Sequence, residues 1–232
     1  MTAARVLVTR SEPGASETAE RLNAAGYLAI VEPVFTIEPL PAVVPDFDAL
    51  AFTSANGARH FAVLSPRRDI PVFCVGVRTA DAAREAGFAN VTSADGDANA
   101  LAALMARQLP KQSRLLHAGN EDSRGDVAGQ MRANGFAASF LPIFRAVARL
   151  TPGPVLADYL AGRGSFDAVL IHSPRGAAIL AGFAAGSTAT LDIVAISGIA
   201  ATPLATLARR TEIAAAPNEQ ALLSALARLV SG

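Results

Sequence analysis

Ala49-Leu50-Ala51-Phe52-Thr53-Ser54-Ala55-Asn56-Gly57 is the stretch on which the reading of the chain turns. Four apolar residues in a row describe a strand buried on both faces, as in a parallel sheet. The run stops at a hydroxyl pair, and a helix-compatible segment at residues 55–64 follows at once. A buried strand handed through a small polar turn into a helix is half of a parallel crossover unit. The same grammar returns at Val169-Leu170-Ile171-His172-Ser173-Pro174-Arg175-Gly176.

Working outward, residues 6–8 read as a strand and residues 13–25 as a helix, with Ser11 as its cap and Gly26 as its stop. A strand at 28–31 is closed by Pro33. Residues 35–48, with Pro39, Pro41 and Pro45, are too long and irregular for an ordinary loop and predict an extended linker. Strands at 49–52, 72–75 and 90–92 then alternate with helices at 55–64, 78–86 and 98–109. A strand at 114–117, a helix at 122–133 and a strand at 138–141 closed by Pro142 lead to a second extended stretch, 143–154. After it come a helix at 155–161, strands at 167–171, 193–196 and 212–215, and helices at 176–183, 199–209 and 219–230.

Both halves repeat one order of elements. Asn23-Ala24-Ala25-Gly26-Tyr27 is echoed by Arg132-Ala133-Asn134-Gly135-Phe136, and Val72-Phe73-Cys74-Val75-Gly76 by Ile193-Val194-Ala195-Ile196-Ser197, 121 residues on. An internal duplication accounts for this. The two extended stretches fall at equivalent places, so the chain is expected to start one domain, cross, build the second, and cross back. The expected fold is α/β: two parallel-sheet domains of the flavodoxin-like kind, joined by a two-strand β-ladder. Residues 1–36 and 151–232 would make the discontinuous domain one, and residues 37–150 domain two.

The 232 residues are 51% hydrophobic, enough for a sizeable core, and carry 20 basic against 20 acidic side chains. That balance argues against a broad nucleic-acid-binding face. One cysteine, Cys74 in an apolar run, builds neither a disulfide framework nor a thiolate cluster. His60, His117 and His172 lack metal-ligand spacing. A strand beginning near the amino terminus leaves no room for a secretory leader, and no apolar run spans a membrane. A cytoplasmic monomer is expected.

In open parallel sheets ligands bind beyond the carboxyl ends of strands, where helices begin. Those places hold Thr9-Arg10-Ser11, Thr53-Ser54-Ala55-Asn56, Gly76-Val77-Arg78-Thr79, Gly119-Asn120, Ser173-Pro174-Arg175-Gly176 and Ser197-Gly198. Unbonded backbone N–H groups and the helix dipole make each a candidate anion seat. The alternative at any one turn is that the hydroxyl simply caps its helix. Candidate binding residues are therefore Arg10, Thr53, Ser54, Asn56, Gly76, Thr79, Gly119, Ser173, Arg175 and Ser197. Dinucleotide, Walker-type, hydrolase and zinc-protease motifs are absent, and the turns hold almost no acid–base groups.

V-L-V-T-R at Val6, F-T-S-A-N-G at Phe52, V-G-V-R-T-A at Val75, A-R-E-A-G-F at Ala83, H-S-P-R at His172, A-I-S at Ala195 and the closing N-E-Q-A-L-L resemble uroporphyrinogen-III synthase along nearly the whole chain. The resemblance implies two α/β domains joined by a two-stranded ladder, with a linear tetrapyrrole between them held by backbone amides and hydroxyls. It implies dehydrative cyclisation of hydroxymethylbilane with inversion of ring D through a spiro intermediate. No metal or organic cofactor is implied, and the partner is the small-molecule tetrapyrrole, with transient contact to hydroxymethylbilane synthase. Thr53, Ser54, Thr79 and Ser173 match polar positions of the family's cleft, and Thr79 is the catalytic candidate. The family's tyrosine after the fifth strand of the second domain is replaced by Phe144, which cannot donate a proton. Either the tyrosine's role is dispensable, or Thr79, Tyr159, His172 or a bound water takes that part, or this chain is impaired. The alternative function is a non-catalytic two-domain binding protein for a polycarboxylate metabolite.

Overall fold

The computed structural model describes residues 3–123 and 125–231. The chain divides into two compact units, one made of the residues up to Ile37 with those from Val147 on, the other of Glu38–Ala146.

The first unit is built on strands β1 (Arg5–Val8), β2 (Leu28–Val31), β9 (Ala168–Ile171), β10 (Leu191–Ala195) and β11 (Ala208–Ile213). They form one parallel sheet in the order β11-β10-β9-β1-β2. Alternation along each strand feeds two cores. Val6, Val8, Ala168 and Leu170 face α1 (Gly14–Ala24) and α9 (Glu219–Ser231), while Leu7, Val169 and Ile171 join α6 (Pro154–Leu160) and α7 (Pro174–Phe183) on the other side.

The second unit carries β4 (Ala49–Phe52), β5 (Pro71–Cys74), β6 (Asn90–Ser93), β7 (Arg114–Asn120) and β8 (Ala137–Ala148) in the order β8-β7-β4-β5-β6, with β3 (Phe35–Pro39) added beside β8. Its helices are α2 (Ala55–Leu64), α3 (Val77–Glu85), α4 (Ala98–Gln108) and α5 (Val127–Ala133). Taking β7, β8, β4, β5 and β6 as counterparts of β1, β2, β9, β10 and β11, the two sheets share one strand order. That order is the flavodoxin-like one. The pairing of β3 with β8 is antiparallel, since Leu40 donates to Ile143 and Arg149 to Val34.

The duplicated turn is also structural. At Gly26 and Gly135, φ is +86° and +82°, and the next residue's N–H reaches back to Leu22 or Met131. A glycine in the left-handed region ends each helix in this way.

Several boundaries differ from the sequence expectation, each for a local reason. Ser11 does not cap α1 with its hydroxyl; the helix starts at Gly14 after Pro13, and Glu12 accepts the Ser16 N–H at 3.1 Å. β8 does not stop at Pro142. A register shift opposite Gly119 and Asn120 lets one strand of twelve residues pass the missing donor. Residues 199–209 are not one helix: α8 (Gly198–Ala201) gives way to a 3₁₀ turn at Thr202–Leu204, where Pro203 interrupts the backbone ladder. β11 begins earlier than expected, and Asp192, only 4% exposed, holds Arg209 and Arg210 beside it at 2.7 and 2.6 Å.

Glu32, just past β2, fixes the returning chain. Its carboxylate accepts the N–H groups of Val155 (2.7 Å) and Leu156 (3.0 Å) at the start of α6, and the residue is buried. A Cβ on Gly153 would fall 2.5 Å from that carboxyl carbon, so glycine makes the approach possible. Glu32→Ala is expected to cost about 1–2 kcal/mol, as loss of a helix cap does, and to lower the thermal midpoint accordingly. An unchanged midpoint would mean that water replaces the cap.

Candidate functional site

In both units the turns after the strands place hydroxyls at helix starts in one geometry. Ser54 accepts the Gly57 N–H at 3.1 Å, Ser173 the Gly176 N–H at 3.1 Å, and Ser197 the Ala200 N–H at 3.3 Å. These three cap α2, α7 and α8. Gly76, the counterpart of Ser197, starts α3 with extended backbone and no side-chain cap. Thr79, in the first turn of α3, is buried at 6% exposure, and its N–H goes to the Gly76 carbonyl. Asn56 and Arg175, each the second residue of its helix, are half-buried.

Two polar groupings stand at the strand ends, one per unit. In the Glu38–Ala146 unit Thr53 Oγ1 and His117 Nε2 are in hydrogen-bond contact at 3.2 Å across β4 and β7. His117 is 1% exposed and lies against the Phe140 ring at 4.9 Å. Burial pushes its pKa down to about 4, against an upward pull from Asp126, so the imidazole is neutral at pH 7. Gly119 was expected in the turn beyond a strand ending at residue 117. It lies instead inside β7 and is buried, with the space for its missing Cβ bordered by His117 Nε2 and Thr53 Oγ1.

In the other unit Glu219, the first residue of α9, gathers three donors. Thr18 donates to Oε1 at 2.5 Å, His172 Nε2 lies 3.4 Å from the same oxygen, and Arg10 Nη1 lies 3.4 Å from Oε2. Burial would raise the Glu219 pKa, but His172, Thr18 and Arg10 together outweigh it and hold it at about 2. Thr9 donates to the Leu170 carbonyl, tying the end of β1 to β9.

His117 as the partner of Thr53, and Glu219 with Thr18, were not singled out from sequence. The rule that selected the other turns also selects Asn218-Glu219 at the β11–α9 junction, where Asn218 accepts the Ala221 N–H. The pairing of Thr53 with a histidine 64 residues away has no such signal.

Two expectations about a proton donor change. Phe144 does not follow a strand: it lies within β8, buried, and stacks on His60 with ring centres 5.1 Å apart. Tyr159 is at the amino-terminal end of β10, its hydroxyl donating to the carbonyl of Thr190 just before that strand, and so cannot serve the carboxyl ends of the strands. Cys74 is buried with its thiol pushed up to about 12 by that burial, which leaves it unreactive. Among the described residues no group of three or more His, Cys, Asp or Glu side chains is placed to hold a metal ion, and no helix is long and apolar enough to cross a membrane.

Each unit is thus a doubly wound α/β fold with at least one serine-capped helix start after a strand, the place where open parallel sheets bind small ligands. The sequence matches the family model described as "Uroporphyrinogen-III synthase HemD" over residues 16–224, and the chain belongs to that family. Among solved structures it is similar to a uroporphyrinogen-III synthetase from Helicobacter pylori (15% identity, TM-score 0.62, 97% of this chain and 99% of that one). It is also similar to a mutant uroporphyrinogen III synthase from Thermus thermophilus (18% identity, TM-score 0.57, 99% of each chain). At such identities the likeness establishes the fold. No curated protein matches the sequence.

Proposed function

We propose that the protein converts hydroxymethylbilane to uroporphyrinogen III, as a dehydrating, cyclising carbon–oxygen lyase. The observation that carries this reading is the family match across residues 16–224. In the reaction the hydroxymethyl C–O bond breaks and its oxygen leaves as water. The resulting azafulvenium carbon is attacked by the substituted carbon of ring D, giving a spiro intermediate that reopens and recloses with ring D inverted. Little covalent help is required once the cation forms. The demand is regiochemical, so binding that favours the spiro pose over head-to-tail closure supplies the catalysis.

The proposed substrate contacts are Arg10, Thr53, Ser54, Asn56, Gly76, Thr79, Gly119, Ser173, Arg175 and Ser197, acting on acetate and propionate carboxylates. Ser54, Ser173 and Ser197 contribute mainly by holding helix starts in place, so that N–H groups and dipoles meet the carboxylates. Val77 at the start of α3 and Ile199 at the start of α8, both apolar and exposed, would cover pyrrole surface. Thr79 is proposed to hydrogen-bond the departing oxygen rather than to act as an acid, since an alcohol yields its proton too reluctantly at pH 7. The working form proposed is a cytoplasmic monomer that meets hydroxymethylbilane synthase transiently.

Thr53→Ala separates binding from structure. Its isomer III formation should slow by about tenfold or more, while stability falls by about 1 kcal/mol for the lost His117 contact. Unchanged turnover with a lowered thermal midpoint would make Thr53 a tether for β4 and β7 only. The assay resolves isomers I and III after oxidation of the products formed from hydroxymethylbilane generated in place.

A further inference from the structure

Arg10 is held at the end of β1 by its surroundings. Its guanidinium lies over the first residue of α1: a Cβ on Gly14 would stand 2.5 Å from Nη2, 2.6 Å from Cζ and 2.6 Å from Nε. Nη1 reaches Thr18 Oγ1 at 3.3 Å as well as Glu219 Oε2. Glu219 is anchored from two more sides by the Thr18 hydroxyl and the His172 ring. The side chains of Arg10, Glu219 and His172 are 18%, 12% and 7% exposed. Residues from the β1–α1 turn, α1, the β9–α7 turn and α9 thus converge on one carboxylate.

The geometry is not that of a pair built for stability. An Arg–carboxylate pair is strongest as a two-bond fork with short contacts, and here Nη1 stands 3.4 Å from Oε2, longer than the contacts of such a fork. Removing two charges from water sets a desolvation cost that such a contact recovers poorly. What the arrangement does achieve is a fixed place and orientation for a flexible cation beside the carboxyl ends of the strands. Pre-ordering a side chain before a ligand arrives raises affinity, because the ordering cost is not incurred on binding.

We propose that Glu219 and Gly14 are positioning residues that fix the Arg10 guanidinium for one carboxylate of the substrate. This rests on the reading above, that the strand ends of this unit seat tetrapyrrole carboxylates. Glu219 acts through Arg10 and does not itself meet the ligand. Gly14 acts by leaving room: alanine is compatible with its helical place, and the three atoms nearest its Cβ would all belong to the guanidinium.

The test is a double-mutant cycle with Arg10→Ala, Glu219→Gln and the double variant, plus Gly14→Ala, read in KM and kcat for isomer III. The same set is read in the Kd for uroporphyrin III, an octacarboxylate probe followed by fluorescence quenching. Arg10→Ala should raise KM and Kd about tenfold or more, as the loss of a charged hydrogen bond does, with kcat nearly unchanged. Glu219→Gln should raise both, and the double variant should be no worse than Arg10→Ala alone. Gly14→Ala should reproduce the Arg10→Ala rise without a lower thermal midpoint. Multiplying losses in the double variant, a wild-type Kd in Gly14→Ala, or tighter binding in Glu219→Gln would each overturn the proposal. Failure of the wild type to form isomer III would count against the reading of function alone, because the Kd cycle still decides the positioning roles.

Discussion

Phe52→Ala is expected to destabilise the Glu38–Ala146 unit by about 3–5 kcal/mol, the range for emptying a fully buried aromatic site. Phe52 is 0% exposed and meets Phe61 and Phe88 with ring centres 5.9 Å away in each case. Phe61 in turn packs on Phe47, so one truncation loosens a chain of four rings. The cavity would also lie directly behind Thr53 and Ser54, and the α2 start they set should lose order with it. Chemical denaturation followed by far-ultraviolet circular dichroism measures the loss. Val63→Ala is the control. Val63 sits on the same helix but is 86% exposed, and its replacement should fall within about 0.5 kcal/mol of wild type. Equal losses would mean that the ring cluster contributes nothing beyond helix content.

Acid is expected to weaken the same unit. His117 has a folded pKa near 4 against 6.5 for the free side chain, and the cause is burial. At pH 7 both states are neutral and the residue imposes no penalty. As pH falls below about 6.5 the unfolded chain binds a proton that the folded unit refuses until about pH 4, so stability drops across that window. The drop amounts to about 3 kcal/mol by linkage. His60, also lowered by burial, adds in the same direction. Asp48, held below its ordinary value of 3.8 chiefly by its hydrogen bond to Arg114, keeps its contribution through this window and loses it only at lower pH. His117→Gln should flatten most of the slope between pH 6.5 and 4.5. A variant that keeps the full slope would place its origin elsewhere.

The architecture was legible because parallel strands buried on both faces leave unbroken apolar runs. Ala49–Phe52 and Ala168–Ile171 are such runs, and both are fully buried. Turn chemistry marked the helix ends: Gly26 and Gly135 supply the left-handed residue, and Ser54 and Ser173 cap the following helices as their positions implied. β8 was cut short on paper because Pro142 reads as a strand stop, whereas a bulge against β7 absorbs it. The helix expected at 199–209 was misread because alanine-rich sequence favours helix locally, while Pro203 and the Asp192 pairing with Arg209 and Arg210 act at tertiary level. The strand-end turns were legible as places, but their chemistry was not. The Arg10–Glu219 contact joins residues 209 apart in sequence, and no periodicity or motif spacing encodes it.

Strand-end turns that direct ring closure of a linear tetrapyrrole with ring D inverted must yield isomer III. The most direct measurement supplies the purified protein with hydroxymethylbilane generated in place, then oxidises the products and resolves their isomers. Uroporphyrin III, formed faster than the spontaneous background and in proportion to protein, is the predicted result. Isomer I alone, at the rate seen without the protein, would contradict the account.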